Sequence, residues 1–326
     1  MKHIKLPDSR ERRLIFYLAM EEFVARELDE NEAFFIWQVA PTVIFGRNQL
    51  MEAEVNMPYC KEHNIQTYRR KSGGGCVYSD KGNLMLSYIT KGDSVGFYFD
   101  RYIRRVAFML QKKGVNAQVA GRNDILIDGK KVSGNAFYKI PGKCIIHGTL
   151  LFDTDFDSLQ QAITPSDNKL KSKGVASVRQ HVTNLSEHLN MDIEEFKQYL
   201  IDDMCRGEER TLTAEEVARI EQIEQTYLEE SFLRGCNPAY TVCKTDKIEN
   251  VGEVMANLEV KNGHIRRLSL TGDFFPLYDT DVELNRRLHN VALEREALLT
   301  ALRDFHLEDY ILNFKTDNFI ELLLKS

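Results

Sequence analysis

Several residue types and patterns are scarce in this 326-residue chain. Tryptophan occurs once, at Trp37, and proline seven times. The six cysteines (Cys60, Cys76, Cys144, Cys205, Cys236 and Cys243) form no C-x-x-C pair. Their spacing suits neither a structural zinc site nor a disulfide framework, and a reducing compartment is the simpler expectation. Long apolar runs are missing as well. The run Leu14 to Met20 is far short of the roughly 20 residues that span a bilayer. It leads at once into Glu21 and Glu22 with no small-residue cleavage site, so it reads as a core helix and not as a secretory signal. A cytosolic protein without a membrane partner is expected. There is no basic surplus: 43 Lys and Arg against 49 Asp and Glu give a net charge of −6. That argues against a general nucleic-acid binder and leaves room for a local cationic pocket. The chain contains no G-x-x-x-x-G-K-[ST], no H-E-x-x-H and no G-x-S-x-G, so a Walker loop, a zinc hydrolase and a nucleophile elbow have no support.

What is present is ordinary for a folded protein, with 43% hydrophobic and 28% charged residues. The length suggests about two domains. Glycine is unevenly spread: 13 of 19 lie between Gly46 and Gly148. Glycine serves where backbone turns sharply or approaches something closely, which places a ligand-contacting region there. Periodicity predicts helices over 10–29, 98–113, 191–204 and 213–230, and strands over 33–45 (broken by Pro41), 84–90 and 144–152. Asp128-Gly129, between Ile125-Leu126-Ile127 and Val132, predicts a hairpin. After Pro238 the composition changes. Strand, Asn262-Gly263 turn and strand over 251–275 precede helices over 279–303 and 316–325, which sets a domain boundary near 245.

Four segments could carry chemistry. In Arg69-Arg70-Lys71-Ser72-Gly73-Gly74-Gly75-Cys76-Val77-Tyr78, three cations precede three glycines, a pattern that lets backbone N–H groups and cations converge on an anion. A solvated surface turn fits the same residues. Tyr78 stands where G-x-G-x-x-G would have its last glycine, so the dinucleotide fingerprint is absent. In Asp124–Ala136, alternation predicts that Lys131 and Ser133 share one face of the second hairpin strand, with Val132 in the core; an exposed hairpin lysine is the common alternative. In the buried strand, His147 and Thr149 share a face, and a satisfied core histidine is the simplest reading. The basic loop 171–179 reads equally as a lid or as a solvated loop.

In order, GRNQ at 46–49, RRKSGGGCVYSDKGN at 69–83, GRNDILIDGKKVSGNA at 121–136, HGTLLFDTD at 147–155, SKGVASVRQHVTNL at 172–185 and TGDFFP at 271–276 resemble the lipoate–protein ligases. The resemblance implies an α+β fold: a large catalytic domain (1–245) with mixed β-sheets, like that of biotin protein ligases, and a small C-terminal accessory domain (246–326). It implies activation of lipoate or octanoate with ATP and Mg²⁺ to the acyl-adenylate. The acyl group then passes to a lysine of a lipoyl domain or of the glycine-cleavage H protein. On this resemblance Lys131 contacts the acyl carbonyl and the adenylate phosphate, and Arg70 the phosphate or carboxylate. Ser72, Gly73, Gly74, Gly75, Cys76, Val77 and Tyr78 form the loop beside the nucleotide. Asn83, Ser133, His147 and Thr149 belong to the pocket wall, and Asp124 is the candidate Mg²⁺ contact.

Departures from the family pattern are Cys76 for alanine, Ile146 for a second histidine, Met85 for a polar residue, and Gln180-His181 within the SVRSRV pattern. Biotin ligation is set aside because RRKSGGGC replaces the G-R-G-R-x-G-R-x-W loop. A transferase using Cys76 or Cys144, and a carrier-binding protein without turnover, are the other readings. An intact Lys131 and Arg70 argue against the latter.

Overall fold

The computed structural model describes residues 1–163, 181–234 and 240–325. The loop 171–179 and Cys236 lie outside these. The chain divides into two compact units. Unit 1 comprises Met1–Phe45, Met51–Arg70 and Cys76–Leu233; unit 2 comprises Gly46–Leu50, Lys71–Gly75 and Arg234–Ser326.

The strands of unit 1 are β1 (Lys2–Lys5), β2 (Glu32–Trp37), β3 (Thr42–Phe45), β4 (Gln66–Arg69), β5 (Val77–Ser79), β6 (Asn83–Lys91), β7 (Ala117–Ala120), β8 (Asp124–Ile127), β9 (Lys130–Ile140), β10 (Lys143–Leu151) and β11 (Glu209–Thr211). Eight of them form a mixed sheet in the order β11-β1-β2-β6-β10-β9-β8-β7, and β4-β3-β5 form a second sheet. The predicted strand 33–45 is thus two strands in different sheets. Pro41 cannot donate to a ladder, and the chain changes sheet there.

Directly opposed residues share a face, so the register fixes both surfaces of the large sheet. One row runs Asp124–Gly134–Thr149–Met85–Trp37 across β8, β9, β10, β6 and β2, and the next runs Ala136–His147–Ser87–Phe35. Helices Leu14–Glu27 and Ala214–Leu228 share one apolar core with Phe35, Trp37, Ile89, Tyr138 and Ile145 of this face. Leu14–Glu27 is apolar nearly all round, with eleven of its residues buried, as a helix enclosed by protein must be. The amphipathic helix Val95–Lys112 covers the opposite face, where Phe99 packs edge-on against Phe137 at 4.8 Å.

The Asp128-Gly129 turn forms as expected, with φ of 49° and 79°, values that suit a tight hairpin. A bulge follows it: Leu126 opposes Lys131, but Ile125 opposes Ser133. The extra residue breaks the alternation. Lys131 therefore lies on the face of Asp124 and Gly134, and Ser133 on the other face beside Asn135, which corrects the shared face expected from the sequence.

Unit 2 holds an antiparallel sheet of β12 (Val242–Ile248), β13 (Gly252–Lys261) and β14 (His264–Gly272). Asn262 and Gly263 turn with φ of 53° and 75°. The helix expected over 279–303 is two helices, Thr280–Leu288 and Arg295–Ala301, with Asn290 between them at φ 63°. No described helix is long and apolar enough to cross a membrane.

A tie of backbone bonds joins the ends of β6 and β10. The Gly82 carbonyl accepts from Phe152 N (3.0 Å) and Asp153 N (2.8 Å). Asp80 accepts from Gly82 N (2.9 Å) and Asp155 N (3.0 Å). A Cβ on Gly82 would lie 2.0 Å from the Asp153 carbonyl oxygen. Gly82→Ala is therefore expected to cost roughly 1–3 kcal/mol of stability, the usual range for overpacking, measured by urea unfolding; an unchanged midpoint would contradict the tie.

Candidate active site

Lys131, on the hairpin β8–β9, is held at three points. Its Nζ lies 2.7 Å from Asp124 Oδ1, and both side chains are about one-third exposed, at 37% and 33%. Its backbone N–H donates to the His181 carbonyl (2.8 Å), and its carbonyl accepts from Thr183 N (3.1 Å). Residues 181–183 thus occupy the edge of β9 that β10 leaves vacant beyond Ser133. Asn184, next in the chain, accepts from Thr154 N (3.0 Å) and donates to its carbonyl (3.1 Å), linking this segment to the tie just described. Thr149 and His147 stand on the same face as Lys131, two residues apart on β10.

His147 belongs to a buried polar chain that sequence reasoning missed. Its Nδ1 lies 2.9 Å from Glu21 Oε2. The Ser87 hydroxyl donates to Glu21 Oε1 at 2.6 Å, and Trp37 Nε1 donates to that hydroxyl at 2.9 Å. Glu21 is fully buried. Its signal in the sequence is a carboxylate following directly on the apolar run Leu14–Met20 of a helix that is apolar nearly all round, and a buried carboxylate needs a partner.

Arg70 follows directly on β4 in the interior, with its N–H donating to the Phe45 carbonyl (3.0 Å) and its Nη1 to the Ile44 carbonyl (3.2 Å). Burial pulls its guanidinium down to about 10, so it stays cationic at neutral pH. Tyr78 is buried in β5, and loss of water pushes its phenol well above its ordinary range, with Asp80 adding to this. Val77 and Cys76 are half-buried beside it. The Asn83 amide donates to the Tyr78 carbonyl (3.4 Å), while its buried Oδ1 has no partner among the described residues. Ser133 is buried on the opposite sheet face, where it accepts from Asn135 Nδ2 at 3.1 Å. Cys144 lies on that face too. It is sealed from solvent, its thiol points to the Gly92 carbonyl at 3.2 Å, and burial pushes it up to about 11. A thiol in that state is a poor nucleophile.

The glycines after Lys71 belong to unit 2. A Cβ on Gly73 would lie 2.2 Å from the Phe274 carbonyl oxygen and 2.7 Å from Pro276. Gly74, at φ 86°, donates its N–H to the Phe274 carbonyl at 3.2 Å. Ser72 is buried, and its carbonyl accepts from Arg47 N at 2.9 Å. A Cβ on Gly75 would lie 4.0 Å from the Asp273 carboxylate, an ordinary contact. Gly73 and Gly74 thus admit TGDFFP closely, and the Gly74 N–H read from the sequence as an anion donor is already engaged. Among the described residues, no group of three or more His, Cys, Asp or Glu could hold a metal ion. Mg²⁺ is usually held by one or two carboxylates together with phosphates; Asp124 offers one carboxylate here, and it is paired with Lys131.

Residues 14–205 match the model of the lipoyl protein ligase A/B catalytic domain, and 237–323 match that of the bacterial lipoate protein ligase C-terminus. The chain belongs to the lipoate–protein ligase family. It is 37% identical to lipoate–protein ligase 1 of Staphylococcus aureus over 94% of this chain and 95% of that protein. It is 35% identical to lipoate–protein ligase LplJ of Bacillus subtilis over 94% and 95%. An archaeal bipartite lipoate protein ligase, solved in a study with its E2 lipoyl domain from Thermoplasma acidophilum, aligns with TM-score 0.65 and 25% identity over 74% of this chain and 99% of that one. P. falciparum LipL1 in complex with lipoate shares the fold over 98% and 97% (TM-score 0.73, 18% identity). So does a lipoate–protein ligase A bound with ATP, over 71% and 97% (TM-score 0.61, 24% identity). In this ligase the Glu21 network is open to a direct test. Glu21→Ala leaves Ser87 and His147 without their buried acceptor and is expected to cost about 2–5 kcal/mol in urea unfolding; a loss below about 1 kcal/mol would show that the network contributes little.

Proposed function

We propose that this ligase activates free lipoate with ATP to lipoyl-AMP and transfers the lipoyl group to a specific lysine of a carrier protein. The observation that carries the residue assignment is Lys131, held at 2.7 Å from Asp124 over the bare backbone of Gly134, in a chain that matches both family domains. In the first step a carboxylate oxygen of lipoate attacks the α-phosphorus of ATP and pyrophosphate leaves. Two anions meet, so preorganised cations lower the barrier. Lys131 takes the acyl oxygen and the phosphate, and the buried Arg70 supplies a second fixed positive charge. Asn83, His147 and Thr149 complete the pocket wall, Gly75 to Tyr78 flank the nucleotide, and Ser72 to Gly74 support that loop. In the second step the carrier's lysine amine attacks the acyl carbon and AMP leaves; the amine's proton passes to water or to the leaving phosphate.

The reading extends further. Asp124 would hold Mg²⁺, which when bound supplies charge neutralisation at the phosphates. A catalytic domain and an accessory domain, expected from the sequence as 1–245 and 246–326, divide the work, and the strand Val242–Ile248 goes with the accessory part. Lipoyl domains and the glycine-cleavage H protein are both acceptors, octanoate is the other candidate acid, and the location is cytoplasmic. Unpaired buried thiols at Cys60, Cys144 and Cys205 suit such a compartment.

The test is mass spectrometry of an apo lipoyl domain and apo H protein, each incubated with the ligase, lipoate, ATP and Mg²⁺. A lipoyl mass added only with ATP is expected. Addition only from supplied lipoyl-adenylate or from a lipoylated carrier would make the protein a transferase. Lys131→Ala should lower adenylate formation by several powers of ten, on the scale of lost orientation plus electrostatic stabilisation; near-normal turnover would refute the assignment. The double variant Cys76→Ala/Cys144→Ala should keep ATP-dependent lipoylation, and its disappearance from a folded protein would point to a cysteine nucleophile.

A further inference from the structure

A glycine inside a strand weakens it and marks a place where something passes close to the backbone. Two glycines lie one register position apart on neighbouring strands near the site, Gly148 opposite Asn135 and Gly134 opposite Thr149, and they serve different neighbours. A Cβ on Gly148 of β10 would lie 2.0 Å from Asn135 Oδ1 and 3.3 Å from the Gly134 carbonyl oxygen, so Gly148 is needed for packing on the sheet face away from Lys131. At Gly134 of β9, its chain neighbours aside, no backbone or core atom of the described residues lies as near. A Cβ there would meet Lys131 Nζ at 2.9 Å and Lys131 Cε at 3.0 Å, with Asp124 Oδ1 next at 3.9 Å. Gly134 is not among the residues with positive φ, so its backbone conformation admits alanine. What the missing side chain keeps clear is the path of one lysine.

We infer that Gly134 is a positioning residue for Lys131: its bare backbone is the floor across which the lysine stem lies, and this sets where the ammonium meets the acyl-phosphate. The inference rests on the role given to Lys131 above. The bulge at Val132 brings the lysine onto this face, residues 181–183 pin its main chain, and Gly134 leaves room for its tip. Among the described residues, a methyl group at 134 would displace only the end of a flexible side chain, so the fold would persist while the charge moves by a fraction of its present reach.

The experiment compares wild type with Gly134→Ala, Lys131→Ala and the double variant. Gly134→Ala is expected to melt no lower than wild type and to form lipoyl-adenylate about 100-fold more slowly, the scale of a small misplacement of a reacting group, with KM for ATP within about twofold. Calorimetry with a sulfamoyl analogue of lipoyl-adenylate supplies the second reading. Gly134→Ala should weaken its binding in the wild-type background, whereas Lys131→Ala and the double variant should bind it alike within about twofold, because a residue that acts through another has no effect once that other is gone. Turnover in Gly134→Ala within about threefold of wild type would overturn the inference. So would binding about tenfold weaker in the double variant than in Lys131→Ala, since the methyl would then obstruct the ligand itself. A lowered melting temperature would make the glycine structural. Near-normal turnover of Lys131→Ala alone would defeat the reading of Lys131, and this inference with it.

Discussion

The edges of strand β9 govern the site. Strand β9 pairs with β10 from Ser133 to Ile140 and with β8 from Lys130 to Gly134. At Lys131 the β10 edge ends, and the main chain of 181–183 takes its place. A lysine at a free strand end would keep most of its backbone freedom, at roughly 1–2 kcal/mol per residue. Here that freedom is removed before any substrate arrives, by bonds on both sides. The segment that removes it is fixed in turn through Asn184 and Thr154 to the tie between β6 and β10, so the position of one ammonium group depends on contacts well outside its own hairpin.

The same sheet face separates two kinds of polar group. Toward the helix Leu14–Glu27, polar atoms are enclosed and satisfied by one another in the run from Trp37 through Ser87 and Glu21 to His147. Toward β8 they are partly open, as Asp124 and Lys131 are. Isolated charge in the first region would be costly, and its groups are accordingly hydrogen-bonded. In the second region, partial exposure lets an incoming anion compete for the lysine. A net-negative chain can thus carry a cationic site, because the surplus acid lies elsewhere.

Much of this was legible in the sequence. Asp128-Gly129 gave the hairpin, and the apolar run from Cys144 to Phe152 gave the central strand, because turn chemistry and burial are written locally. The bulge was not: which residue of β9 opposes Ile125 depends on a partner strand, and strict alternation wrongly paired Lys131 with Ser133. Gly73 and Gly74 posed a different difficulty. A glycine announces that something comes close, but the sequence does not distinguish a ligand from another part of the chain, and here Phe274 and Pro276 account for both. Glu21 was visible as a charge in an apolar helix, yet its partner lies 126 positions away, beyond any local pattern.

The burial of Arg70 bears on how the two cations respond to their medium. Dissolved salt weakens the field of a charge that water and ions can surround, over a distance of about 8–10 Å at ordinary ionic strength. Arg70 is 5% exposed, and counter-ions have almost no access to it; Lys131, with more than a third of its side chain in solvent, is open to them. Raising ionic strength therefore leaves one of the two charges nearly intact and dims the other.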